Sequence, residues 1–200
     1  MIQYRRLAGV LLGVWLGAGV FADIAVTQNF QAVDRFLQMP HDVNTAVTLN
    51  AVGRPLERRL LRRNAAEENN WIFENWERTE LAIGAGLFML LLFGERPDKM
   101  LLGLCVGMFA LVMAEHFILT PQIIDLGRKI DDLPPKDPIV RKFWMLHGVY
   151  SGVDILKLLT GAFFAARMAI RRKADTEYFA REYKEMMRGG KSGRGQGVVT

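Results

Sequence analysis

Met100–Thr120, MLLGLCVGMFALVMAEHFILT, is long enough to cross a lipid bilayer, and it carries Glu115 and His116 near its C-terminal end. A bilayer core about 30 Å thick takes about 20 apolar residues at 1.5 Å each, so the stretch reads as a transmembrane helix. Ionisable groups at that depth are costly and persist where they face protein or a watery cavity. The stretch therefore predicts neighbouring helices that bring polar partners.

Three further blocks supply candidates. Leu7–Val26 follows Arg5-Arg6 and gives a first span over residues 7–27. Its start resembles a secretory leader, with Val20-Phe21-Ala22 resembling a cleavage site. Apolar character resumes at Ile24-Ala25-Val26, however, and Gly9, Gly13 and Gly17 form a small-residue face suited to helix packing, so a retained helix is expected. Leu81–Phe93 is too short to span unless it extends back to about Glu74, which brings Glu77, Arg78 and Glu80 to the boundary beside Trp71 and Trp76. Gly94–Lys99 is a short turn, making this span and the next antiparallel neighbours, with Gly103, Gly107, Ala110 and Ala114 at close-packing intervals. Phe143–Ala166 is the fourth block and carries His147, Asp154 and Lys157. The expected fold class is all-α: a polytopic membrane protein built as an antiparallel four-helix bundle, with spans near 7–27, 74–93, 100–120 and 143–166.

The remainder is polar. Residues 28–73 read as a polar helical loop punctuated by Pro40 and Gly53-Arg54-Pro55. Pro55 can open a helix with leucines on one side and arginines on the other, lying on the membrane surface or packed on the bundle mouth. Residues 121–142 form a second polar loop. The segment 171–200 is a basic tail, expected to be helical over 174–188 and disordered over 189–200.

Charge follows the same division. Residues 1–166 hold 17 Lys/Arg and 17 Asp/Glu, whereas 167–200 hold nine against four, so all of the +5 net charge lies in the tail. No aromatic-studded basic surface accompanies it, which argues against nucleic acid as a partner and for the lipid bilayer and its anionic headgroups. The single cysteine, Cys105, excludes an intramolecular disulfide and reads as a small buried hydrophobe.

Four spans in series alternate in direction, so Asp23, Glu77, Glu80, Glu115, His116 and His147 gather at one mouth of the bundle, with Asp154 deeper. His147, Ser151 and Asp154 recur at i, i+4 and i+7 and share one helix face. Three readings compete for this cluster. In one, the charges pair and fix helix positions, Asp154 and Lys157 neutralising each other at i and i+3. In another, they form a pathway for a proton or a small cationic solute. There His147 and Glu115 contact the solute, Glu80 and Asp23 add negative field, and Asp154 is the deeper acceptor. The third is a metal site of a membrane enzyme, with Glu80, Glu115, His116 and His147 as ligands. The Glu-x-x-His pairs of di-iron bundles, H-E-x-x-H, phosphate-binding glycine loops and nucleophile elbows are all absent from the sequence. No catalytic residue and no cofactor are therefore assigned, a metal ion excepted.

Glu115–Pro121 (EHFILTP), Lys136-Asp137-Pro138 and Phe143–Ser151 (FWMLHGVYS) resemble the C-terminal half of the family of transmembrane protein 205. His147, Gly148 and Ser151 match that family's aromatic-x-x-x-His-Gly-x-x-Ser signature opening its last span, and Trp76-Glu77 fits the opening of its second. The likeness is strongest over 115–160. The insert after the first span, Asp154 in place of an asparagine, and the basic tail depart from the pattern. The resemblance implies an integral membrane protein acting in export or tolerance of toxic compounds, and it carries no catalytic residue with it.

Lys/Arg counts on the two sides nearly tie, at 13 on the side of the termini and 12 on the other. Arg5-Arg6 and Arg171-Arg172-Lys173 abut helix ends, which places both termini on the cytoplasmic side of a plasma or bacterial inner membrane. The Gly9/Gly13/Gly17 face suits a homo-oligomer as readily as an internal contact.

Overall fold

The structure is a computed structural model describing residues 2–39, 42–94, 98–130 and 133–192. Among the described residues it is all-helical, without strands: α1 (Ile2–Gln38), α2 (Val43–Val52), α3 (Arg54–Leu92), α4 (Lys99–Ala114), a π-helical turn (Glu115–Leu119), α5 (Thr120–Ile130) and α6 (Pro138–Ser192). Two stretches, Arg6–Gln38 and Lys99–Ile130, are long and apolar enough to cross a membrane.

The helices overrun the expected spans. Of the polar residues 28–73, those to Gln38 extend α1, Val43–Val52 form the separate α2, and those from Arg54 open α3. α1 continues to Gln38 and stops just short of Pro40, since a residue preceding proline is pushed out of helical geometry. Gly53, at φ 83°, breaks the chain after α2, and Pro55 sits in the first turn of α3, where a missing N–H costs nothing. From Leu56 to Leu92 the chain has no further proline, so the Arg/Glu/Asn-rich turns run straight into the apolar block. The expected loop 121–142 is likewise helical to Ile130. The tail is helical through Ser192, so the disorder expected from residue 189 does not begin there; residues 193–200 lie outside the described residues.

The helices pack in a ring, α1 on α3, α3 on α4, α4 on α6, with α6 closing on α1. Leu11 meets Gly86, Gly19 meets Trp76, Asn69 bonds the Val26 carbonyl and Arg58 pairs with Asp34, so α1 and α3 run antiparallel in constant register. The apolar core lies toward the Asp98 end, made of Ala8, Leu12, Trp15, Leu87, Leu101, Cys105, Met108, Val112 and Phe164. Close approach depends on two inward glycines. A Cβ at Gly84 would stand 2.9 Å from the Phe109 ring, and one at Gly161 would stand 2.4 Å from Leu16 Cδ2. The small residues singled out from spacing do not serve this purpose. Gly9, Gly13, Gly17, Gly103 and Gly107 are exposed, with nothing within 4 Å of a built Cβ, because the strip Leu101, Cys105, Met108, Val112 faces inward instead.

Alongside this apolar core, large apolar side chains are exposed and several charged ones are buried. Val10, Val14, Phe21, Ile24, Met89 and Val106 are exposed, as are Met113, Phe117, Val149, Ile155, Leu159 and Phe163, while Glu77, Glu80, Glu115 and Lys157 are buried. Buried polar groups and large exposed apolar surface are the informative departures from ordinary packing.

Each end is tied by charge. Beyond the polar centre, Arg58 and Arg62 reach Asp34 at 3.0 and 3.7 Å, and Arg128 grips both oxygens of Glu67 at 3.0 and 2.9 Å. That hydrogen-bonded guanidinium holds the exposed Glu67 carboxyl below its usual range. At the opposite end Asp98 caps α4 through the Met100 N–H at 3.0 Å and pairs with Arg167 and Arg171 of α6.

Candidate functional site

The π-helical turn is what brings two adjacent residues into one interior. In a regular helix Glu115 and His116 point about 100° apart. Pro121 has no N–H to donate and its ring crowds the carbonyl four residues back, which breaks the regular ladder just before it. The turn widens to compensate, with the Thr120 N–H bonding the Glu115 carbonyl five residues back. Glu115 then faces α6, His116 faces α3, and Thr120 also turns inward.

Two polar centres result. At the first, Lys157 Nζ of α6 lies 2.9 Å from Glu80 Oε2 of α3, 2.9 Å from Glu115 Oε2 and 2.8 Å from Asp154 Oδ1. The second oxygen of Glu80 accepts the Trp15 indole N–H of α1 at 2.8 Å. Asp23 of α1 adds a fourth carboxyl, beside Asp154. Four helices and four carboxyl groups thus surround one ammonium. Taking an ion out of water costs roughly several kcal/mol even after relaxation, so this arrangement stands only through mutual pairing.

The second centre is Glu77 of α3. It accepts the Thr120 hydroxyl at 2.5 Å and the Tyr150 hydroxyl at 3.1 Å, both on Oε1, and bonds His116 Nδ1 at 2.9 Å through Oε2. Charge-assisted bonds of this kind each contribute about 1.5–3 kcal/mol, so the carboxylate ties α3, the π-helical turn, α5 and α6 together.

Of the residues expected in the polar cluster, Glu80, Glu115 and the deeper Asp154 meet at Lys157 with Asp23 beside Asp154, and Glu77 meets His116. His147 and Ser151 do not join them. His147 is half-buried and stacks on Phe143 with centroids 5.9 Å apart, and the exposed Ser151 hydroxyl donates to the His147 carbonyl at 3.0 Å. The inward strip of α6 is Tyr150, Asp154, Lys157, Gly161 and Phe164, turned by about 60° from the His147/Ser151 face. Arg78 stays outside and pairs with Glu74 at 3.7 Å. Glu80, Glu115, His116 and His147 do not converge: the first two share the lysine, His116 belongs to Glu77, and His147 packs on an aromatic ring. Among the described residues no three His, Cys, Asp or Glu side chains are arranged to hold a metal ion.

Lys157 as the hub, Trp15, Thr120 and Tyr150 escaped sequence reasoning. The available signal was the i, i+4, i+7 spacing of Tyr150, Asp154 and Lys157, as regular as the one chosen. No family model, no curated protein and no solved structure matches this chain.

Proposed function

We propose that the chain crosses a membrane four times as α1, α3, α4 and α6, and that the Lys157 centre binds a small cation within the bundle. The observation that carries this reading is the excess of buried carboxyl groups over the one buried ammonium, inside helices whose outer faces are apolar. Lys157 itself marks what the carboxylates recognise: a primary ammonium group at 2.8–2.9 Å. A cationic solute entering beside Glu77 would take contacts from Glu80 and Glu115 while Lys157 retains Asp154. The basic residues at the two termini fit cytoplasmic ends in a plasma or bacterial inner membrane, and the export or tolerance role implied by the likeness to the transmembrane protein 205 family agrees with cation handling.

One observation favours a structural role at the other centre. Both Glu77 oxygens are bonded to neighbouring segments, Oε1 to Thr120 and Tyr150 and Oε2 to His116.

The test is uptake of labelled methylammonium by proteoliposomes containing the full chain. Flux above that of empty vesicles is expected, with loss in Glu115→Gln at equal reconstituted protein. Flux equal to empty vesicles for the unaltered chain contradicts the proposal.

A further inference from the structure

The Lys157 centre carries more negative charge than its ammonium offsets, and two features show where the excess goes. Asp23 and Asp154 come from different helices, yet their carboxyl groups stand within hydrogen-bonding reach of each other. Two ionised carboxylates repel and have no hydrogen to donate, so a proton between them stabilises such a contact beyond what the Lys157 ammonium on Asp154 supplies. Glu115 is 0% exposed; Oε2 is held by Lys157, but among the described residues its Oε1 meets no donor. An ionised oxygen left without a donor in a nonpolar interior costs more than a neutral acid does there.

We propose that the Lys157 centre is a proton-binding site, with one proton shared by Asp23 and Asp154 and a second exchanging on Glu115 Oε1. The inference rests on reading the centre as a cation site and names the smallest cation that fills it. Uptake is simple acid–base chemistry: hydronium at the mouth gives up a proton, an O–H bond forms on a carboxylate oxygen and water departs. No electron changes hands. With Lys157 charged throughout, the two protons reduce the charge of the centre from three negative to one.

The groups facing Glu115 are contributed by every neighbouring helix. Glu80 comes from α3 and Tyr150, Asp154 and Lys157 from α6, with Asp23 of α1 behind Asp154. Glu77 and His116 lie toward the surface from this centre. His116 bonds the fully buried Glu77 through Nδ1 and is itself 17% exposed, while Tyr150 donates to Glu77 and neighbours Glu115 and Asp154.

The test is infrared difference spectroscopy on the full chain in lipid bilayers, titrated from acid to alkaline pH and read at the carboxylic acid C=O band, which ionised carboxylates lack. A buried-acid band at neutral pH is expected, reduced by about half in Asp154→Asn and likewise in Asp23→Asn, with the remainder removed by Glu115→Gln. The amides imitate the neutral acid, so the fold should survive, and the two Asn variants check each other. Absence of the band in the unaltered chain at neutral pH overturns the inference, as does a band unmoved by all three substitutions. Because this readout needs no solute flux, a band without methylammonium uptake would sink the transport reading alone, and uptake without a band would sink only the proton site.

Discussion

Glu77 and Glu115 are equally buried, stand on neighbouring helices, and are satisfied in opposite ways. Three donors from three segments converge on Glu77 and fill both oxygens. Glu115 has a third share in one lysine and an oxygen with no donor among the described residues. The first centre is rich in donors and holds geometry; the second is poor in donors and has an unmet demand for positive charge. Burial alone does not distinguish a locking carboxylate from a binding one, but the donor count around it does.

That contrast is broken most severely at Lys157. Lys157→Met removes the ammonium that Glu80, Glu115 and Asp154 share, and unpairing a buried ion costs about 3–5 kcal/mol. Unfolding of the purified protein in detergent should show that loss, with Glu115→Gln costing far less because one of its oxygens has no bond to lose. Equal destabilisation by the two would erase the distinction between hub and open acceptor.

A smaller effect separates inward from outward glycines. Gly161→Ala drives a methyl into Leu16 and Met108 between α1 and α4, and overpacking of this kind costs about 1–3 kcal/mol. Gly13→Ala meets nothing and should stay within about 0.5 kcal/mol in the same assay. The smallest effect lies in the polar cap. A carboxyl held low in the folded state contributes stability above its unfolded pKa and loses it as pH falls through the folded value. Acid should therefore loosen the Glu67–Arg128 contact and speed amide exchange in the first half of α3 and in α5, leaving the apolar core unchanged.

The helical class and the apolar blocks were legible because hydropathy is read without reference to rotation. Rotation was not legible. A shift of about 60° on α6 exchanges His147 and Ser151 for Tyr150 and Lys157, and period alone chooses neither face. The π-helical turn was hidden as well: Pro121 signals a break in the ladder, but whether the chain ends, kinks or widens there depends on what Glu77 and Lys157 offer from other helices. Glycine spacing misled for a related reason, since it marks faces that permit close approach without saying which face has a neighbour.

The most direct measurement is solid-state NMR of the full chain in lipid bilayers, labelled at lysine Nζ and at Asp and Glu carboxyl carbons. Short-range couplings from Lys157 Nζ to the carboxyls of Glu80, Glu115 and Asp154 are expected, with the ammonium shielded from water. A Lys157 signal in rapid exchange with water and lacking those couplings would contradict the buried ionic centre.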